Sequence, residues 1–208
     1  MIDLYNTHSG GPTMVKTYPL PGFPTTLRAE DGAQIAVRPM QPQDEKALLE
    51  FFRRIPEEDR YYLKEDVTSA EVIGRWAKEV DYNRAIPLLA LSGDRIVADG
   101  TLHRRRAGSR RHIGEVRVVV DPAFRNKGIG RGLVRMLVDL AAQEKIELLT
   151  FEVVSDREES ARSAGMLIGF YPRAVLPGYT RDKDGTPHDL VIMELDVRKA
   201  KGHLPQVF

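Results

Sequence analysis

The sequence predicts one α+β domain, a mixed and mostly antiparallel sheet with helices on both faces. Three observations predict it. Three apolar runs joined by short turns, Ile86 to Leu91, Ile96 to His103 and Ile113 to Val120, read as an antiparallel meander. The last of them runs through a glycine-rich turn into a long amphipathic helix and then into another apolar run, Leu148 to Val154, which is a β-α-β unit. A second helix and a closing hairpin follow. A meander feeding a single β-α-β unit fits neither a doubly wound parallel sheet nor a barrel.

Residues 1–26 are rich in Gly, Pro and Thr and read as an N-terminal extension or arm. Tyr18-Pro19-Leu20-Pro21-Gly22-Phe23-Pro24 is too apolar for a plain linker, so this segment is expected to pack on the domain or on a second subunit. The domain is placed at 27–197, with 198–208 as a frayed, charged tail. Leu27 to Arg38 reads as a hairpin turning at Asp31-Gly32. Asp44 to Arg54 is helical, with Leu48, Leu49 and Phe52 on one face. Pro56-Glu57-Glu58-Asp59 opens a short helix, proline first and acids in the first turn. Thr68-Ser69-Ala70-Glu71 reads as a capping box before the stripe Val72, Ile73, Trp76, Val80.

From Arg84 onward the strands begin. Ser92-Gly93-Asp94 turns the first pair, and the arginine-rich run 104–111 makes a basic hairpin tip. The helix 130–144 carries Leu133, Met136, Leu137, Leu140 and Ala141 at helical spacing after Ile129. Leu148 to Val154 is apolar enough for burial on both faces. Arg157 to Ile168 is a helix expected to turn Ala161, Ala164 and Ile168 inward, and Gly169-Phe170-Tyr171 ends it. The closing hairpin turns at Asp182-Lys183-Asp184-Gly185 and returns as Leu190 to Val197.

The stretch Val118-Val119-Val120-Asp121-Pro122-Ala123-Phe124-Arg125-Asn126-Lys127-Gly128-Ile129-Gly130-Arg131-Gly132 carries the chemistry. The β-branched run stops at Asp-Pro because proline cannot donate to a sheet ladder. The turn then places glycines and free N–H groups at a helix N-terminus, an end suited to phosphate. Arg125, Lys127 and Arg131 add full charges. The glycines run G-x-G-x-G, which is not the dinucleotide fingerprint G-x-G-x-x-G, and no P-loop is present.

Arg125-Asn126-Lys127-Gly128-Ile129-Gly130 fills the pattern R/Q-x-x-G-x-G/A. In this context it resembles the acyl-CoA loop of the GNAT superfamily of N-acetyltransferases. Val-Asp-Pro before the loop and Gly169-Phe170 after the second core helix are further matches, and the resemblance covers about Leu27 to Val197. It implies the GNAT fold, with a central parallel strand pair splayed at the coenzyme site. It implies acetyl-CoA as co-substrate, pantetheine along Val118, Val119 and Val120, and pyrophosphate on the N–H groups from Lys127 to Gly132 (Lys127, Gly128, Ile129, Gly130, Arg131, Gly132), with Arg125 and Asn126 completing the loop.

Acyl transfer to an amine needs the amine to lose a proton and the thioester carbonyl to be held. A carboxylate facing the cleft serves the first need. Glu115, which shares a strand face with Arg117 and Val119, is the expected base. Gly114-Glu115-Val116-Arg117-Val118-Val119-Val120 and Pro56-Glu57-Glu58-Asp59-Arg60-Tyr61-Tyr62 are similar to the catalytic domain of bacterial protein lysine acetyltransferases. The resemblance therefore favours a protein lysine as acceptor, with a small amine second. It lines the acceptor side with 54–62 and 177–188. Tyr61, Tyr62 and Tyr179 lie there, and their expected role is core packing.

The chain departs from the family pattern at Gly165, where many members carry a tyrosine that protonates the leaving thiolate. The asparagine usual earlier in that helix is also absent, with Glu158 nearby. These departures keep a non-catalytic acyl-CoA-binding module as the alternative.

Composition narrows the rest. Basic and acidic residues number 31 and 30, so no polyelectrolyte partner is implied, and the basic tip reads as a solvated turn and not a nucleic-acid surface. There is no cysteine, which removes disulfides and thiolate chemistry. The histidines lack metal-ligand spacing, so no metal is expected. No apolar run reaches the roughly 18 residues of a membrane span, and no signal-peptide pattern opens the chain. The expectation is a cytoplasmic monomer or homodimer.

Overall fold

The computed structural model describes residues 20–200. The sequence-defined hairpin is β1 (Thr25–Arg28) and β2 (Gln34–Pro39). Helices α1 (Glu45–Arg54), α2 (Glu57–Arg60) and α3 (Ala70–Lys78) follow. The meander is β3 (Ala85–Ser92), β4 (Arg95–Arg104) and β5 (Ile113–Val120). Then come α4 (Ile129–Gln143), β6 (Leu148–Val154), α5 (Glu159–Ile168), β7 (Tyr171–Arg181), β8 (Pro187–Asp196) and a final turn of helix, α6 (Val197–Ala200).

All eight strands form one sheet in the order β1-β2-β3-β4-β5-β6-β8-β7. Every pair is antiparallel except β5–β6. That exception follows from connectivity, since the α4 crossover brings the chain back in the same direction.

Two cores cover the two faces. On one, α4 lays Ile129, Leu133, Leu137, Val138 and Ala141 against Ile86, Leu88, Ala98, Leu102 and Val116. On the other, α1 and α3 bury Leu48, Phe51, Phe52 and Ile73 against Leu89, Leu91 and Ile96. The strand with both faces covered is β3, whose residues alternate between the two cores. Gly100 on β4 lets α4 approach closely: a Cβ there would lie 3.4 Å from both Leu133 and Leu137.

Four sequence expectations change. Ser69 caps α3, its hydroxyl accepting from Val72 N, while Thr68 turns back to donate to Asp66 at 2.6 Å. An ST-type local bond thus takes Thr68 out of the expected box. The strand β6 is not buried on both faces: Leu149, Val153 and Val154 are buried, but Thr150 is half-buried and Glu152 is exposed. In α5, Ala161 is exposed and Gly165 takes the inward place beside Ile168. At the C-terminal end, α6 continues past Val197 and Ala200 is buried, within the stretch 198–208 expected to fray. Leu20 is buried in the α4-side core and Phe23 packs on it, while residues 1–19 and 201–208 lie outside the described residues. No described helix is long and apolar enough to cross a membrane.

Leu137 is fully buried between α4 and β4. Leu137→Ala is expected to lower unfolding free energy by about 2–5 kcal/mol, read from urea melts followed by circular dichroism.

Candidate active site

The parallel pairing of β5 with β6 covers only Ile113↔Leu148, Gly114↔Leu149 and Glu115↔Thr150. Beyond that point β5 stays paired with β4 up to Val120, and β6 with β8 up to Val154. The two strands therefore diverge after Glu115, and a wedge opens whose walls are Val116–Val120 and Phe151–Val154. Strand edges inside a sheet carry unmet N–H and C=O groups. Side chains satisfy some of them: Arg125 Nε donates to Val120 O at 3.1 Å, and Val154 N donates to Glu158 Oε2 at 2.6 Å. Burial raises the Glu158 pKa.

The glycine loop closes the wide end of the wedge. Asp121 anchors it. This buried carboxylate accepts from Arg54 Nε and Arg95 Nη2, both at 2.8 Å, and from Ala123 N at 3.1 Å. Burial alone would raise its pKa, but the two guanidiniums outweigh burial and hold it low. The loop then needs positive φ at Asn126 (58°) and at Gly128 (74°), the αL N-cap of α4. Asparagine and glycine are the residues that tolerate this region. No side chain caps the helix, so the N–H groups of its first turn stay open to an anion. Gly130 lets the start of α4 lie close on β5, where a Cβ would come 3.3 Å from Val120 Cγ2 and 3.8 Å from Val118 Cγ1.

Gly132 leaves the expected set of anion donors. Its N–H donates to Gly128 O at 2.9 Å, and a Cβ there would collide with the Leu27 side chain. Packing against β1, not ligand approach, requires glycine at this position. The loop's cations are also engaged: Arg125 with Asp59 at 2.7 Å, Lys127 with Asp31 at 3.0 Å, and Arg131 with Glu30. These pairs are partly exposed, where such bridges are weak, so a phosphate can displace them. The open N–H groups of the first turn of α4 fit a pyrophosphate.

Glu115 lies at the vertex of the wedge, on the face covered by α1 and α3. One of its oxygens accepts from Lys64 Nζ and Arg117 Nε, each at 2.8 Å. Burial raises its pKa, but the bonds from Arg117 and Lys64 prevail and hold it down at about 2. Lys64 comes from the segment after α2 and also lies 3.5 Å from Glu152 Oε2 on β6.

Across the β4–β5 pair, Asp99, Thr101 and His103 stand opposite Val119, Arg117 and Glu115. Burial pushes Asp99 up to about 7, with Thr101 Oγ1 at 3.5 Å. Burial, and then Arg117, brings His103 down to about 4, so it is neutral at pH 7. Alternation along Ile96 to His103 already placed these polar residues on one strand face, a signal the sequence reading did not use. Lys64 and Glu152 had no such signal.

On the acceptor side, Tyr61 and Tyr179 are exposed and do not pack in the core. The ring of Tyr61 meets that of Tyr62 edge-on at 5.6 Å, and its hydroxyl donates to Asp182 O at 3.3 Å. That bond joins the α2 segment to the β7–β8 hairpin. The hairpin is pinned by buried His188, whose Nδ1 lies 2.9 Å from Asp156 and Nε2 3.2 Å from Asp182. At the basic tip, Arg105, Arg106, Arg110 and Arg111 are exposed, but Arg104 turns inward to Glu144 and Tyr82 O.

The missing tyrosine has a steric cause. A Cβ at Gly165 would run into the ring of Phe151, which stacks edge-on with Phe170 at a centroid distance of 4.8 Å. With the Phe151 ring in this place, a tyrosine at 165 has no room.

Residues 46–171, more than half of the chain, match the acetyltransferase (GNAT) family. The chain belongs to the GNAT acetyltransferase family. It is an N-acetyltransferase, and acetyl-CoA is the acetyl donor in this family. Solved structures share the fold. The GNAT domain of PAT from S. lividans superposes with a TM-score of 0.72 at 21% identity, over 86% of this chain and 99% of that one. An acetyltransferase from Salmonella typhimurium, solved with its cofactor acetyl-CoA, gives 0.68 at 20% identity, over 78% and 94%. The ribosomal-protein-S5-alanine acetyltransferase of Vibrio fischeri gives 0.68 at 15%, over 78% and 92%. No curated protein matches the sequence.

Two outcomes follow for this GNAT domain. Gly165→Ala should lose about 1–3 kcal/mol of stability by overpacking, and the loss should shrink in a Phe151→Leu background; a double-mutant cycle of thermal melts reads it. The bond to Asp182, then that to Asp156, raises the His188 pKa. A raised folded-state pKa gives stability that is complete below the unfolded value of about 6.5 and fades as pH rises through the folded value. The melting-temperature gap between the wild type and His188→Gln should therefore be widest at mildly acidic pH and narrow toward alkaline pH.

Proposed function

We propose that this acetyltransferase transfers acetyl from acetyl-CoA to a primary amine by direct attack in a ternary complex, with a lysine side chain of a protein as the leading acceptor and a small amine second. One observation carries the reading: the β5–β6 wedge has an open helix N-terminus at its wide end and an ionised carboxylate at its vertex. The first-turn N–H groups of α4, with Arg125 and Lys127, would hold the pyrophosphate. The edge of Val118, Val119 and Val120, which has left β6 and is met by Arg125 at Val120 O, offers strand-like hydrogen bonds to the amides of the pantetheine arm. Acetyl-CoA supplies the activated thioester, whose carbonyl carbon takes the amine nitrogen as the C–S bond breaks.

Glu115 acts on the amine. A carboxylate held at about 2 is a poor direct proton acceptor for a lysine ammonium of ordinary pKa near 10.4. It is a strong anchor for that ammonium, and it orients the nitrogen while the proton leaves through water. The side chain already bound at this carboxylate is a lysine, Lys64, which supports an alkyl-ammonium acceptor over other nucleophiles.

Calorimetric titration with acetyl-CoA should show micromolar binding. Gly130→Glu should abolish it by placing a carboxylate at the helix N-terminus. Glu115→Gln should bind acetyl-CoA as the wild type does and lose at least about a hundredfold in turnover of a lysine peptide. Turnover should climb with pH through the neutral range, following deprotonation of the acceptor. No binding by the folded chain would overturn the coenzyme assignment. Binding with no transfer to any amine would leave an acyl-CoA-binding module.

A further inference from the structure

The position an acceptor ammonium would take is held by the chain's own lysine. Lys64 Nζ bridges the mouth of the wedge, 2.8 Å from Glu115 Oε1 on β5 and 3.5 Å from Glu152 Oε2 on β6. Glu115 and Thr150 are the last paired residues of the two strands, and Glu152 is the next residue on the same face of β6. Lys64 thus meets one carboxylate from each wall just where the strands part. Its side chain is 46% exposed, so the amine is also open to solvent. The segment that carries it is tied before Lys64 through Tyr61 to Asp182 of the β7–β8 hairpin, and after it through Glu65 to Arg75 and Trp76 of α3. Such ties hold the lysine in place without diffusion, which is the condition for high effective concentration.

We infer that Lys64 is a self-modification site: the chain transfers acetyl from acetyl-CoA to its own Lys64. The inference rests on the functional reading above, in which the thioester lies in the wedge beside Glu115. The step balances simply. Lys64 Nζ loses a proton to water, its lone pair attacks the thioester carbonyl carbon, the C–N amide bond forms, and the C–S bond breaks. The coenzyme leaves as the thiolate and takes up a proton. The acetylated side chain carries no charge, so Glu115 keeps Arg117 and loses its lysine partner. The place that Lys64 held on Glu115 is then open to an external ammonium. Unmodified Lys64 competes with acceptors, and acetylated Lys64 does not.

The test incubates the purified full-length chain with acetyl-CoA and follows each lysine by peptide mass spectrometry. Expected is acetylation at Lys64 at least tenfold faster than at the exposed Lys78 and Lys199, with a fractional rate independent of protein concentration. Excess coenzyme A, which competes for the site without changing the protein, should suppress it, and Gly130→Glu, checked for folding by thermal melt, should abolish it. Lys64 acetylation no faster than at Lys78, from a chain that binds acetyl-CoA and acetylates an external amine, would overturn the inference and leave the functional reading standing. Acetylation insensitive to coenzyme A would mark it as spontaneous chemistry and also overturn it. A rate that rises with protein concentration would overturn the internal route in favour of transfer between molecules. Failure of the folded chain to bind acetyl-CoA at all would remove the functional reading, and the inference with it.

Discussion

The arrangement depends on one interrupted strand pairing. β5 and β6 stay together for three residue pairs and then separate, although each remains fully paired on its other side. A sheet interior does not usually leave polar backbone unmet, so the separation must be held open by other contacts. On the β5 wall, Val118 and Val120 pack toward the α4 core, and Gly130 lets the helix start come against them. On the β6 wall, Phe151 turns onto Gly165 and Phe170. Arg125 and Glu158 meet one backbone group at the far end of each wall. The wedge is therefore a built feature, supported by apolar packing on both sides and finished with charged side chains.

Electrostatics in the wedge is divided between its ends. The wide end combines a helix N-terminus with cations that already have carboxylate partners. That arrangement orients the guanidiniums and the lysine while limiting the net field on the unliganded chain. The narrow end has the opposite character, because Glu115 lies among Arg117, Lys64 and a neutral His103. Its carboxylate is thereby held ionised at neutral pH. A group that stays ionised there is better suited to placing a cation than to cycling a proton. Asp99, pushed up to about 7 by burial four register positions further along the same face, has the proton affinity that Glu115 lacks. It is separated from the vertex by Thr101 and Arg117, so it bears on the local field and not on contact with an acceptor.

The features legible in sequence were those encoded over short distances. The limits of β5 and β6 follow from alternation and flanking turns, and the glycine loop from Asp-Pro before it and a helical period after it. Their order specified the sheet, because a β-α-β unit has one available handedness and forces the lone parallel pair. What escaped the sequence was set by distant side chains competing for the same space or charge. Nothing near Lys64 says that it will reach Glu115, and nothing near Gly165 says that the ring of Phe151 will cover it. Gly132 was misread for a related reason. Its neighbours made it look like part of an anion cradle, while the contact that demands glycine comes from Leu27, far away in sequence. Thr68 and Ser69 were a local ambiguity, resolved when Asp66 captured the threonine hydroxyl.

The exchange at Gly165 carries a consequence for the chemistry. A tyrosine at this point of α5 would present a hydroxyl near the β6 wall, and here that volume belongs to an aromatic ring with no proton to give. In the proposed reaction the leaving thiolate must then be protonated from solvent. A thiol of ordinary pKa near 8.5 is a competent leaving group at neutral pH, so loss of a dedicated acid costs little. The harder requirement is the amine, which is protonated in water and must arrive with its nitrogen correctly aimed. The chain concentrates its charged groups on that task. Glu115 and Glu152 converge from opposite walls on a single ammonium, and the α2 segment and the β7–β8 hairpin join above them through Tyr61 and Asp182. In the proposed reaction this geometry serves placement of the nucleophile more than proton supply to the leaving group.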